Sequence, residues 1–250
     1  MTRGGAAIAS FCSDDSSLPV AKRPSVRPGL NRFVWELKYP GPEALDISLA
    51  PPRNKPLAER ADSPAGPTVV PDQYRVEMSL GSQTMIAEFT VVKDPRLSTT
   101  PEDYSQQFEL VQELTASLGK LNATVNRIRR LKHRLSVLAG GSEGDEHGLA
   151  AKAKAVVEKL TAVEAVLVDV NRESHRDVLR NPGGLNDTLL ALISTVSVSD
   201  TAPTKPAVAV SREIMVRVDA EISKLERLAA AEGAAVNRLA LEREVEAASG

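Results

Sequence analysis

The chain has 250 residues, 42% of them apolar, with a formal net charge of −2 and a pI of about 6.0. That length fits one large domain or two ordinary ones, and so slight an acidic balance gives no overall field to draw nucleic acid or an anionic membrane to the surface. A lone cysteine, Cys12, excludes an intramolecular disulfide framework, and no apolar run approaches the ~18 residues of a membrane span. The opening "MTRGGAAIASFCSDD" is too short and broken in its apolar part for a signal peptide. As written, the chain is expected to stay in the cytoplasm.

"AAIASF" predicts one weak strand, followed by a polar linker punctuated by Pro19, Pro24 and Pro28. "PGLNRFVWELKYP" (28–40) then alternates Phe33, Trp35, Leu37 and Tyr39 against Arg32, Glu36 and Lys38, the pattern of a strand with one buried face. Residues 40–71 hold eight prolines, which predicts an irregular surface loop. "YRVEMSL", "GS" and "QTMIAEFTVV" read as a hairpin with a two-residue turn at Gly81-Ser82.

After "KDPR" the patterning changes period. Thr100, Pro101 and Asp103 predict a helix start with a capping box. From Phe108 through Val111, Leu114, Leu118, Leu121, Val125, Ile128, Leu131 and Leu135 to Leu138, apolar residues recur at spacings of three and four. This predicts one helix of roughly 38 residues, about 57 Å long. Further stripes follow at Ala153–Val170, at Leu185–Val196 and from Ile214 through Leu228, the last continuing through Val236 and Leu239. No Phe, Trp or Tyr lies beyond Phe108. Any core in that half is aliphatic, as packed amphipathic helices require.

Chemistry is harder to find. His133, His147 and His175 are scattered, with no partner at metal-ligand spacing. "SEGDEHG" lacks the oxygen ligands of an EF-hand loop and reads as a solvated turn. "NRIRRLKHR" (126–134) is the densest basic cluster, but no aromatic is interleaved for base stacking, so a solvated face is the better reading. "NPGGLND" matches neither a dinucleotide nor a P-loop pattern and reads as a helix start. Cys12 has no neighbouring base. No catalytic, cofactor-binding or metal-ligating residue is therefore expected, and no cofactor.

In order along the chain, "GLNRFVWELKYPGP", "PDQYRVEMSLGSQTMIAEFTVVKDPR", a long helix and "NPGGLNDTLLALISTVSVSDTAPT" resemble the C-terminal region of bacterial BNR/sortilin-like β-propeller proteins, a group labelled glycosyl hydrolases. The matching positions are Gly29, Asn31, Arg32, Phe33, Trp35, Tyr39 and Pro40; Pro71, Tyr74 and Val76; and Asp94, Pro95 and Arg96. Glu36 and Lys38 stand where the family usually has Asp and Arg, and Asp72-Gln73 replaces a Gly-containing turn. No Asp-box (S-x-D-x-G-x-x-W) occurs. The resemblance implies an exported or periplasmic setting and an Ig-like domain followed by a helical tail, with any glycosidase chemistry in a propeller that this chain lacks.

The expected fold is thus α+β in two parts. Residues 1–97 form an incomplete Ig- or fibronectin-like β-sandwich with a Pro-rich loop at 40–71. Residues 98–250 form an antiparallel helical bundle with one very long helix. Only three clear strands plus "AAIASF" are found, against about seven in a complete sandwich, so the chain is expected to be a truncated family member. The implied role is a non-catalytic accessory one. Its partner would be a propeller domain or another protein, self-association is left open, and neither nucleic acid nor membrane is expected. The alternative is a stand-alone helical module for interaction or oligomerisation.

Overall fold

The structure is a computed structural model describing residues 1–16, 23–49, 65–140, 149–170 and 183–247. The acidic turn with His147, the surroundings of His175, and residues 50–64 of the Pro-rich stretch lie outside the described residues. The fold is mixed α+β, with a four-stranded antiparallel sheet and four long helices among the described residues. These group into two compact units. Unit 1 takes in the described residues of Met1–Gly41, Ala65–Gln112 and Val196–Thr204; unit 2 takes in those of Pro42–Pro64, Glu113–Thr195 and Lys205–Gly250.

Unit 1 holds the sheet, ordered β2-β1-β3-β4. β1 (Thr2–Arg3) and β2 (Ala6–Ala7) form a minimal hairpin across Gly4-Gly5. β3 (Asp72–Leu80) and β4 (Gln83–Val91) pair in register from Asp72↔Val91 to Leu80↔Gln83. Gly81 sits at φ 58° while Ser82 keeps an ordinary φ, the type II′ arrangement whose twist matches that of the flanking strands.

Trp35, Leu37 and Tyr39 pack as the alternation requires, but Phe33 is exposed, and the segment is not a strand of this sheet. Its ladder is a single bridge, Lys38↔Thr68, flanked by Tyr39 N–H to the Pro67 carbonyl (2.9 Å) and Val69 N–H to the Leu37 carbonyl (2.8 Å). Two local features break the extended run. Leu37 has a left-handed φ of 57°, and the Trp35 indole N–H donates to the Lys38 carbonyl at 2.9 Å, closing a turn. Sidedness survives all the same. Trp35, Leu37 and Tyr39 pack against the buried cluster of Ile8, Val69 and Tyr74, together with Phe89 and Val91. Trp35 meets Tyr74 and Phe89 edge-on, each at 6.3 Å between ring centroids, and Tyr74 stacks on Phe89 at 5.7 Å. Alternation reports which side of a segment is apolar; it does not say what the backbone pairs with.

The helices are α1 (Pro101–Gly140), α2 (Leu149–Leu167), α3 (Leu185–Ser197) and α4 (Lys205–Ala247). The capping box at the start of α1 is formed. Thr100 N–H donates to Asp103 Oδ2 at 2.9 Å, and Asp103 N–H donates back to Thr100 Oγ1 at 3.2 Å. In unit 2, Leu114, Leu118, Leu121, Val125 and Ile128 are fully buried, as are Leu160 and Leu167 on α2, Leu189 on α3 and Val218 and Leu225 on α4. Each belongs to an expected stripe.

What the stripes did not announce is a polar border along α1: Asn122, Asn126 and Arg129 are buried too. The asparagines, one turn apart, hold the backbone of residues 43–46. Asn126 Nδ2 donates to the Ala44 carbonyl (2.9 Å) while its Oδ1 accepts from Asp46 N–H (2.8 Å), and Asn122 Nδ2 donates to the Glu43 carbonyl (2.7 Å). This part of the Pro-rich stretch is therefore docked on a helix rather than simply looping over the surface.

Candidate functional site

Within unit 1, the Pro67–Pro71 segment, the end of β4 and the first turns of α1 enclose a cleft of about 190 Å³. Its polar lining comes from Thr68, Lys93, Asp94, Tyr104, Gln107, Ser197 and Asp200. Most of these groups are already engaged. Tyr104 Oη donates to Asp200 Oδ2 at 3.3 Å, Gln107 Nε2 to the Val196 carbonyl at 2.7 Å, and Lys93 Nζ to the Thr99 carbonyl at 2.9 Å. Burial, with Asp200 alongside, raises the pKa of the Tyr104 phenol. The Arg96 guanidinium, chelating Asp94 through Nε (3.0 Å) and Nη2 (2.6 Å), holds that carboxyl below its ordinary range.

Ligand pockets usually run to ~300–1,000 Å³, so this cleft suits a protein side chain or a group of few atoms. Its two carboxylates are held by an arginine and a phenol respectively.

The structure divides the residues singled out from the sequence among three structural tasks. Asn31 closes the 25–31 loop, accepting from Arg27 N–H (3.0 Å) and Ser25 Oγ (2.9 Å) and donating to the Arg27 carbonyl (2.8 Å). Arg32 beside it is exposed, and Phe33 tilts against Phe11 at 4.8 Å. Trp35, Tyr39 and Tyr74 belong to the core. Tyr74 Oη donates to the Val70 carbonyl at 2.6 Å, and burial pushes its phenol up to about 12. Asp94, Pro95 and Arg96 make a tight turn in which Asp94 accepts from Arg96 through both backbone and side chain. These groups do not converge on one point.

Other candidates find structural partners. In the basic run, Arg129 Nε and Lys132 Nζ donate to the two oxygens of the fully buried Glu164 at 2.8 and 2.9 Å, and Arg127 pairs with Glu226. Arg129 thus faces inward, a correction to the solvated reading of that run; Arg127, Arg130 and Arg134 are exposed. A Cβ on Gly184 would lie 2.6 Å from Val168 Cα and 2.7 Å from the Leu167 carbonyl oxygen, so this glycine permits close chain approach.

Tyr104, Gln107 and Asp200 carried no motif. Tyr104 and Asp200 lie 96 positions apart, and Asp200 falls in the proline-containing segment between α3 and α4. Among the described residues no group of three or more His, Cys, Asp or Glu could hold a metal ion, and no helix is long and apolar enough to cross a membrane. No family model, curated protein or solved structure matches the chain.

Proposed function

We propose that this chain is a non-catalytic accessory region of a BNR-propeller glycosyl-hydrolase-like protein, working by docking to a propeller or another protein. The observation that carries the reading is the far half of the β3–β4 hairpin. There Met78, Leu80 and Met85, on one face of the hairpin, are each more than half exposed, a concentration of large apolar side chains that marks a surface for contact. In this proposal unit 1 is a partial Ig-like sandwich, a reading supported by the antiparallel hairpin and by the tryptophan packed across Tyr74 and Phe89. The helical half is a bundle, supported by the buried stripes on all four helices. The motif order from Asn31 to Arg96 supports the family assignment. A stand-alone helical oligomerisation module is less favoured, because the α1 stripe is already covered within the chain.

The test is calorimetric titration of the purified chain into a separately purified BNR-type propeller from the same genome. Saturable binding, weakened by Met85→Asp, is expected, with no turnover of aryl sialosides or aryl glucosides by the chain alone. Turnover abolished by a single carboxylate substitution would overturn the non-catalytic reading, since glycoside hydrolysis needs a cooperating carboxyl pair.

A further inference from the structure

The free edge of β4 is the strongest unassigned feature. A two-residue turn makes Leu80 and Gln83 a hydrogen-bonded pair, so along β4 the backbone groups of residues 83, 85, 87, 89 and 91 point to β3. Those of Thr84, Ile86, Glu88 and Thr90 point away. No strand pairs with them among the described residues, because β4 ends the sheet. Residues 83–88 and Thr90 are exposed. Natural edges are blunted by proline, lysine, bulges or a short length. This one runs for nine residues with no proline and Glu88 as its only charge.

We propose that β4 pairs antiparallel with β4 of a second copy of this chain, about a dyad at Ala87, joining two sheets into one. This deepens the docking reading above and rests on it, by naming a second copy as a partner. Three features of the strand select that register. Ala87 is the midpoint of Gln83–Val91, so the whole strand overlaps. The dyad sets Thr84 against Thr90 and Ile86 against Glu88, the residues whose N–H and C=O groups are free, and each such pair exchanges both backbone bonds. It also sets Met85 against Phe89 and Ala87 against Ala87 on the face that carries Met78, so the exposed apolar surfaces of both hairpins become continuous.

Neighbouring registers are worse. A dyad at Glu88 opposes two carboxylates, which is destabilising. A dyad at Ile86 leaves the Thr90 and Val91 end hanging over the turn. A one-residue slip matches free backbone groups with occupied ones and reverses the faces. In the Ala87 register each Glu88 lies opposite Ile86 across the dyad and opposite its own Arg75 within the hairpin.

The experiment uses the full chain with Cys12→Ser and added single cysteines. Across the dyad Ala87 would face its copy at a Cα separation of about 4.5 Å, within disulfide range. Ala87→Cys should therefore cross-link to itself under mild oxidation. Thr84→Cys should not cross-link to itself, but it should cross-link when mixed with Thr90→Cys. By sedimentation equilibrium the parent should dimerise, and Ile86→Pro, which removes an outward N–H from an edge where proline is tolerated, should weaken the dimer about tenfold or more. A parent that remains monomeric throughout, or Thr84→Cys homodimers in place of Ala87→Cys ones, would overturn the pairing. A monomer that still binds the propeller would sink the pairing and leave the accessory reading standing. A cross-linked dimer with no affinity for a propeller would do the reverse.

Discussion

Glu164 is a buried charge whose loss unit 2 should feel strongly. It is fully buried with Arg129 on one oxygen and Lys132 on the other, so its charge is matched in a place where a bare charge would be costly. Glu164→Ala should cost about 3–5 kcal/mol by stranding the buried Arg129, whereas combining Arg129→Met with Glu164→Leu should recover most of that loss. Urea midpoints measure both. Leu121→Ala, at a site with no exposure, should cost about 2–5 kcal/mol, and the exposed Arg130→Ala about 0.5 kcal/mol at most. Equal losses at Leu121 and Arg130 would mean the buried side of α1 is wrongly placed. Tyr74 gives unit 1 a signature in pH. Its phenol is raised by burial from 10.0 to about 12, so the folded state holds the proton more tightly than the unfolded one. The stability this contributes is complete below pH 10 and is lost as pH rises toward 12. Tyr74→Phe, which keeps the ring, should reduce that alkaline dependence, leaving the part owed to the raised Tyr104 phenol, when unfolding is followed by Trp35 emission across the range. An unchanged alkaline slope would assign it to another group.

At the scale of elements, a helix stripe is legible in sequence because its periodicity is local and its partners need only be apolar. The seam from Val111 to Ile128 on α1 was readable for that reason. Asn122 and Asn126 were not, because a buried amide is specified by the distant backbone it satisfies, here residues 43–46 about 80 positions away. The same limit hid the cleft, whose tyrosine and aspartate lie 96 positions apart in the chain. The β1–β2 hairpin turns across Gly4-Gly5, but with only two residues in each strand its alternation is too short to read. The asparagine clamp yields a direct test. Asn126→Leu would leave the Ala44 carbonyl and Asp46 N–H without their partner, at about 1–3 kcal/mol for each group that stays buried. Amide exchange at Asp46 should then accelerate well before exchange in the middle of α1 does. If Asp46 exchanges at the same rate in both proteins, residues 43–46 are held by something other than the asparagine.

For the molecule as a whole, the course of the chain matters more than the inventory of elements. It leaves unit 1 after Gly41, is back within it at Ala65, passes out again inside α1 after Gln112, and returns for Val196–Thr204 before α4 begins. Unit 1 therefore draws part of its packing from residues far along the chain. Tyr39 tilts against Phe108 at 4.9 Å, Tyr104 donates to Asp200, and Gln107 donates to the Val196 carbonyl. A fragment ending at residue 97 keeps every strand of the sheet yet loses Phe108, Tyr104 and the Asp200 segment. It should lack the core needed to offset its ordering entropy, which small domains offset only narrowly. The helix runs without a break across residues 112–113, and helical order is cooperative along the chain, so the two units are expected to unfold together. In the intact protein, then, Leu121→Ala in unit 2 should lower the denaturation midpoint seen by Trp35, in unit 1, as much as the midpoint seen by helical circular dichroism. The two curves should superpose before and after substitution, as two-state unfolding requires. If the dichroism curve moves while the tryptophan curve stays, the units unfold independently, and the continuity of α1 carries no energetic coupling between them.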